Sequence, residues 1–258
     1  MKRILFATLF ACSLLSAHAQ TEDVKLMDPT AHPKFEVATI KFADPDAKSS
    51  GFTTSGKNVL VRNKSMNDIL TMAFHVNKQQ IVNMPDWADQ RFDIKGYPDT
   101  PGAPSLLQYQ EMLRGLLEER FGLRVHKDTR DMARVTVQIG RGGIKFKPTT
   151  YTGIDLPDQT GHGTAGTQDF RMTNNTMADF IGFLRNFLNH PVVDQTGLTG
   201  KYDFTLKWAR EDAQPNADTQ GLPGLITALQ EQLGLKVESS KGPTDVIVID
   251  HIEKASDN

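Results

Sequence analysis

Ser65-Met66-Asn67-Asp68 and Thr176-Met177-Ala178-Asp179 open two stretches of the same design, and the rest of the chain repeats around them. Apolar residues follow at Met66, Ile69, Leu70, Ala73 and Phe74 in the first, and at Met177, Phe180, Ile181, Leu184 and Leu188 in the second. The 3,4 spacing puts each set on one helical face. A hydroxyl at the N-cap accepts from an orphan amide of the first turn, and a carboxylate three residues on suits the positive helix end. Other matches keep step. Arg91-Phe92-Asp93-Ile94 answers Lys201-Tyr202-Asp203-Phe204, and Phe121-Gly122-Leu123-Arg124-Val125 answers Leu233-Gly234-Leu235-Lys236-Val237. Such spacing predicts an internal duplication, with each copy covering the other's apolar face.

The pattern in order predicts strands over 35–42 and 58–62, the first capped helix, a short strand at Ile81-Val82, a strand over 91–96, and a helix ended by Gly122. Strands over 123–126 and 133–139 follow, and Gly140-Arg141-Gly142-Gly143 turns the chain into a hairpin with 144–147. The second half repeats this: strand 169–172, a capped helix, Val192-Val193, strand 202–208, a helix with Leu222, Leu225, Ile226, Leu229 and Leu233 facing in, and strands 235–238 and 246–252. The expected fold is α+β, two duplicated units, each a small mostly antiparallel sheet with two amphipathic helices packed on it. Its divisions are 1–19 (signal peptide), 20–34 (flexible leader), 35–147 (first repeat), 148–167 (Gly/Thr/Asp/Pro-rich linker) and 168–258 (second repeat).

Lys2 and Arg3 precede an apolar run from Ile4 to Leu15 that ends in Ala17-His18-Ala19, the pattern of a secretory signal cleaved after Ala19. The single cysteine, Cys12, lies inside that segment, so the mature chain is expected to enter an oxidising compartment without disulfides. No other run is long enough for a spanning helix, and no basic block marks a nucleic-acid binder. The localisation expected is periplasmic or extracellular.

Chemistry-bearing motifs are scarce. Gly51 to Asn58 nearly spells a phosphate loop, but Asn58 stands where Ser or Thr should ligate magnesium, and strand-like residues follow in place of a helix. The histidines form no HExxH or i, i+4 pair, so no metal or cofactor is expected. His75 and His190 stand at helix ends, where capping explains them; His126 and His251 lie at strand ends and can face a groove. G-x-S-x-G and S-x-x-K are both missing from the sequence. Asp93 and Asp203 hold matching places, which duplication explains without acid–base chemistry. Trp87, in a turn after Pro85-Asp86, is the residue best placed to stack on a ligand, whereas Trp208 reads as core. The candidate binding residues are Trp87, Asp86 and His126.

Phe35-Glu36-Val37-Ala38, Pro85-Asp86-Trp87, the runs from Leu116 to Leu123 and from Ala228 to Leu235, and above all Val192 to Phe204 resemble the soil-associated family of secreted proteins of unknown function from acidobacteria. The resemblance spans nearly all of the mature chain. It implies secretion and kinship with domains attached to sensor-type membrane metallopeptidases, and it assigns no catalytic residues. The helix-then-strand of Ile69-Leu70 to Ile81-Val82 is also similar to the short secretin and TonB-linked N-terminal domain, from which no function follows. The expected function is a non-enzymatic binding or interaction module engaging a protein or an envelope or extracellular polymer, through addition of a strand to a sheet edge. The alternatives are a secreted hydrolase using His126 or His251, and a sensor or inhibitor domain.

Overall fold

The computed structural model describes residues 26–55, 58–151, 158–164, 166–212 and 219–254. The signal-peptide reading and Cys12 fall outside them. The described residues form an α+β structure with four helices and three four-stranded sheets, mostly antiparallel. The first half carries β1 (Phe35–Phe42), β2 (Gly51–Ser55), β3 (Asn58–Ser65), α1 (Met66–Phe74), β4 (Ile81–Val82), β5 (Arg91–Pro98), α2 (Leu106–Phe121) and β6 (Arg124–Ile139). The second carries β7 (Lys147–Pro148), β8 (Asp158–Gly163), β9 (Thr167–Thr176), α3 (Met177–Leu184), β10 (Val192–Asp194), β11 (Lys201–Ala209), α4 (Leu225–Leu233) and β12 (Leu235–His251). One outer sheet has the order β1-β5-β3-β2 and the other β7-β11-β9-β8. Replacing each strand by its counterpart from the other half leaves the order unchanged.

The helix starts follow from their caps. Ser65 Oγ accepts from the Asp68 amide at 3.1 Å while Asp68 accepts from the Ser65 amide at 3.2 Å. Thr176 and Asp179 do the same at 3.2 and 2.9 Å. Two orphan donors are satisfied at each start. Just upstream, Asn63 and Asn174 take left-handed backbone (φ 48° and 61°), and their amides donate to Asp93 and Asp203 at 2.8 and 3.0 Å. The matching aspartates therefore hold a strand-to-helix corner in each half.

Between the outer sheets lies a third, ordered β10-β6-β12-β4. Its centre is one long antiparallel ladder, with Leu235 opposite Ile139, Val248 opposite His126 and Asp131 opposite Pro243. Shifting β6 by the interval from Gly122 to Gly234 carries it onto β12 and carries Asp131 onto Pro243, its own partner. The ladder thus has a local two-fold at that pair. The flanking strands obey it too: β10 runs parallel to β6 with Val192 beside Val135, and β4 runs parallel to β12 with Ile81 beside Ile247. Each half lends its short strand to the other's long one. Ile249 of β12 consequently lies in the core under the first outer sheet with Phe92, Leu113 and Phe121, while Val137 of β6 lies in the second core with Phe180, Phe204 and Leu229.

Several local expectations are corrected. The strands read separately at 123–126 and 133–139 are one strand, as are 235–238 and 246–252, because the two intervening segments pair with each other. The hairpin across Gly140 to Gly143 does not form. β12 and β10 occupy the two edges of β6, and Lys147 pairs with Asp203 of β11 instead. Ile226, read as inward-facing, is exposed in the first turn of α4. Within the segment read as a linker, β8 forms the edge of the second outer sheet beside β9. Within the segment read as a leader, Met27 is buried and its amide donates to Ala103 O at 2.8 Å.

Candidate functional site

Trp87 and His251 stand about the C-terminal end of α2, whereas His126 lies further along β6, facing away from the core that Val125 joins. Phe121 is the last residue of that helix, and Gly122 closes it in the left-handed conformation at φ 57°. Trp87 is half-buried, its ring stacked on Phe121 with centroids 6.3 Å apart, so one face of the indole is spent on the core. Asp86 beside it is exposed. β6 leaves from the same helix end and carries His126, whose Nδ1 lies 2.8 Å from Asp250 Oδ1 on β12. His251 approaches Gly122 and pairs through Nε2 with Glu253 at 2.9 Å.

A histidine held at Nδ1 by a carboxylate keeps Nε2 free, which is the orientation a general base requires. Here, however, His126 and Asp250 are both about half exposed (54% and 47% of the side chain), in water rather than in a dry pocket. Among the described residues no hydroxyl is hydrogen-bonded to either histidine, and no group of three or more His, Cys, Asp or Glu side chains stands together as a metal site would need. Asp93 and Asp203, the matching carboxylates, are committed to Asn63 and Asn174. The stretch that resembles a phosphate loop enters an antiparallel β2–β3 hairpin, not a strand-to-helix turn, and its Gly56 and Lys57 lie outside the described residues.

A cavity of about 570 Å³ lies at the end of α4, where the turn Gly140 to Gly143 meets Gly234. Its charged lining is spoken for in part: Lys145 Nζ donates to Glu231 O at 2.8 Å and Lys236 pairs with Glu238 at 2.5 Å. Its lining is glycine and exposed polar or charged side chains, with none of the aliphatic or aromatic side chains that anchor a small ligand.

Sheet edges are the feature left over. The outer sheets end on β1 and β2, and on β7 and β8; among these β1 is the longest, at eight residues against five, two and six. β1 pairs with β5 alone, through Val37 to Phe42, and none of its residues is buried. Its other side therefore presents backbone amides and carbonyls without a strand partner among the described residues. Val37 is 56% exposed there, opposite Tyr97, over whose ring Lys95 Nζ sits at 5.7 Å. A bulge at Glu36 interrupts the register at one end. Sequence reading proposed edge addition without choosing an edge, because the alternation of Phe35 to Phe42 says strand but not which strand lies outermost.

Among the described residues no helix is long and apolar enough to cross a membrane. A family model described as "Protein of unknown function (DUF3738)" matches residues 67–252, from the first turn of α1 to just past β12. No curated protein and no solved structure matches the chain.

Proposed function

We propose that this chain, which belongs to the family of proteins of unknown function DUF3738, is a secreted, non-enzymatic binding module of the bacterial envelope or exterior that captures an extended polypeptide segment. The observation that carries this reading is the β1 edge. Six consecutive residues, Val37 to Phe42, hold a regular register with β5 and have no strand on the other side among the described residues. An added strand satisfies such a row of donors and acceptors in a way a globular surface cannot, and side chains at alternate positions supply selectivity. Exposed Val37 and Tyr97 favour a partner with apolar residues at alternate positions. The signal-like first 19 residues support the compartment, and we read the two halves as a duplication on the strength of the matching strand orders and caps.

Asp86 and Trp87 offer a second contact area at the end of α2, and His126 a solvated one on β6. The hydrolase alternative finds little support, since the His126–Asp250 pair is solvated and no hydroxyl among the described residues is hydrogen-bonded to it. The test is capture from envelope and medium extracts by the chain from residue 20, with Val37→Lys plus Thr39→Lys to blunt the edge and Trp87→Ala as comparison. Loss in the edge double variant, with new amide protection in β1 of the wild type, supports strand addition. Capture unaffected by the edge change refutes it, and loss with Trp87→Ala alone moves the site to the end of α2.

A further inference from the structure

We propose that the junction where the C-terminal end of α1 meets α3 is an acid-sensitive clasp, with His75 as its titrating group. His75 closes α1 in the left-handed conformation at φ 53°, which swings its ring onto α3. The ring lies so close over Gly182 that a Cβ there would stand 2.5 Å from its Nε2 and Cε1. One turn along α3, Arg185 Nη1 donates to the His75 carbonyl at 2.5 Å. From α2, Arg114 Nη1 donates to the Ala73 carbonyl at 2.7 Å, so two guanidinium groups cap the same helix end. Asn77 Nδ2 to Leu188 O at 3.2 Å and Gln79 Nε2 to Asn189 O at 2.6 Å complete the contact between the halves.

The charges facing the ring are Arg185 and Asp179, one turn to either side of Gly182 on α3. Asp179 is occupied by the helix cap, accepting from both the amide and the hydroxyl of Thr176 at 2.9 and 2.6 Å. Burial first, then Arg185, hold the imidazole below the usual histidine range, with Asp179 opposing them. The polar network is also incomplete, because Arg185 Nε and Asn77 Oδ1 are buried without hydrogen-bond partners among the described residues. A proton on His75 places a second cation beside Arg185 and needs water for the new N–H. The ring leaves Gly182, and the two helix ends part while the β6–β12 ladder holds the halves together.

The clasp is tested on the full chain by amide exchange at several pH values between 7.5 and 5, corrected for the intrinsic rate. Exchange over 71–80 and 181–190 is expected to rise, by up to about tenfold per unit, as pH falls from the open-form value near 6.5 toward the lower value at which His75 in the closed form takes its proton, and to level off below it. His75→Asn, which keeps the left-handed geometry without the titrating ring, is expected to flatten that dependence, and His75→Gly must behave alike. An equal rise in the variants overturns the proposal, as does a wild-type profile without a rise. Ring titration by NMR is the second measurement: a midpoint below 6.5 for His75 supports the clasp, and one at or above it refutes it.

Discussion

Gly122 and Gly234 close α2 and α4 in the same conformation, yet alanine at the two positions should cost different amounts. Both have positive φ, 57° and 70°, and an alanine in the left-handed region costs about 1–2 kcal/mol at either site. At Gly122 the added methyl meets only the His251 ring, at an ordinary 3.5 Å. At Gly234 it would stand 2.0 Å from the Gly143 carbonyl oxygen, which is backbone and must move. Moving that turn strains two hydrogen bonds, Gly140 N to Gly234 O at 2.8 Å and Lys145 N to Leu233 O at 3.0 Å. Each is worth about 1 kcal/mol net. Gly234→Ala is therefore expected to lose about 3–4 kcal/mol, roughly twice the loss at Gly122. In a chain of this size the difference amounts to about 4–8 °C in Tm. Paired urea and thermal unfolding of the two variants measure it. If Gly122→Ala loses as much as Gly234→Ala, the close approach of the turn is not what makes Gly234 necessary.

Ser65→Ala and Thr176→Ala each remove an N-cap, and each is expected to lower stability by about 1 kcal/mol in urea titration. A large disparity would mean that the two corners are not energetic equivalents. Tyr109 is 2% exposed, its hydroxyl buried without a hydrogen-bond partner among the described residues, and burial raises its ionisation far above the usual phenol range. Tyr109→Phe should therefore leave the unfolding free energy unchanged or raise it by up to about 1 kcal/mol, and a clear loss would reveal a partner for that hydroxyl. His75 is depressed in the folded state, so its neutral form adds its full stability above the unfolded value near 6.5. That contribution is lost as pH falls from there toward the folded value. The gap between wild type and His75→Asn in urea at pH 8, 6 and 5 should shift against the wild type on acidification; a constant gap would show that His75 is not the group responsible.

Local signals in the sequence carried the fold a long way. Ser65-x-x-Asp68 and Thr176-x-x-Asp179 both form their capping boxes, Gly122 and Gly234 both end helices, and Trp208 is buried. These features were legible because each is decided within one helical turn or one strand. The exchange of β4 and β10 between the halves was not, because pairing Ile81 with Ile247 depends on distant partners and leaves no mark near either residue. Thr129 to Met132 and Gly242 to Asp245 look like loop sequence, the first polar and the second broken by glycine and proline, yet each continues a strand because the other segment lies alongside. Trp87 shows the converse limit: its turn was visible, but the Phe121 ring that claims one face of the indole was not. The His126–Asp250 pair has no sequence signature, since its members sit on strands brought together only by the ladder register.

The crossing of the long strands also sets an order of events in time. Ile249 and Ile252, from the end of the chain, pack into the core built by the first half. A ribosome that has released only that half has produced a core with a missing wall, whose completing strand is still unsynthesised. Pairing across about 100 residues of sequence is also slow to find its register. Such a chain stays open until β12 is available to close both ladder and core.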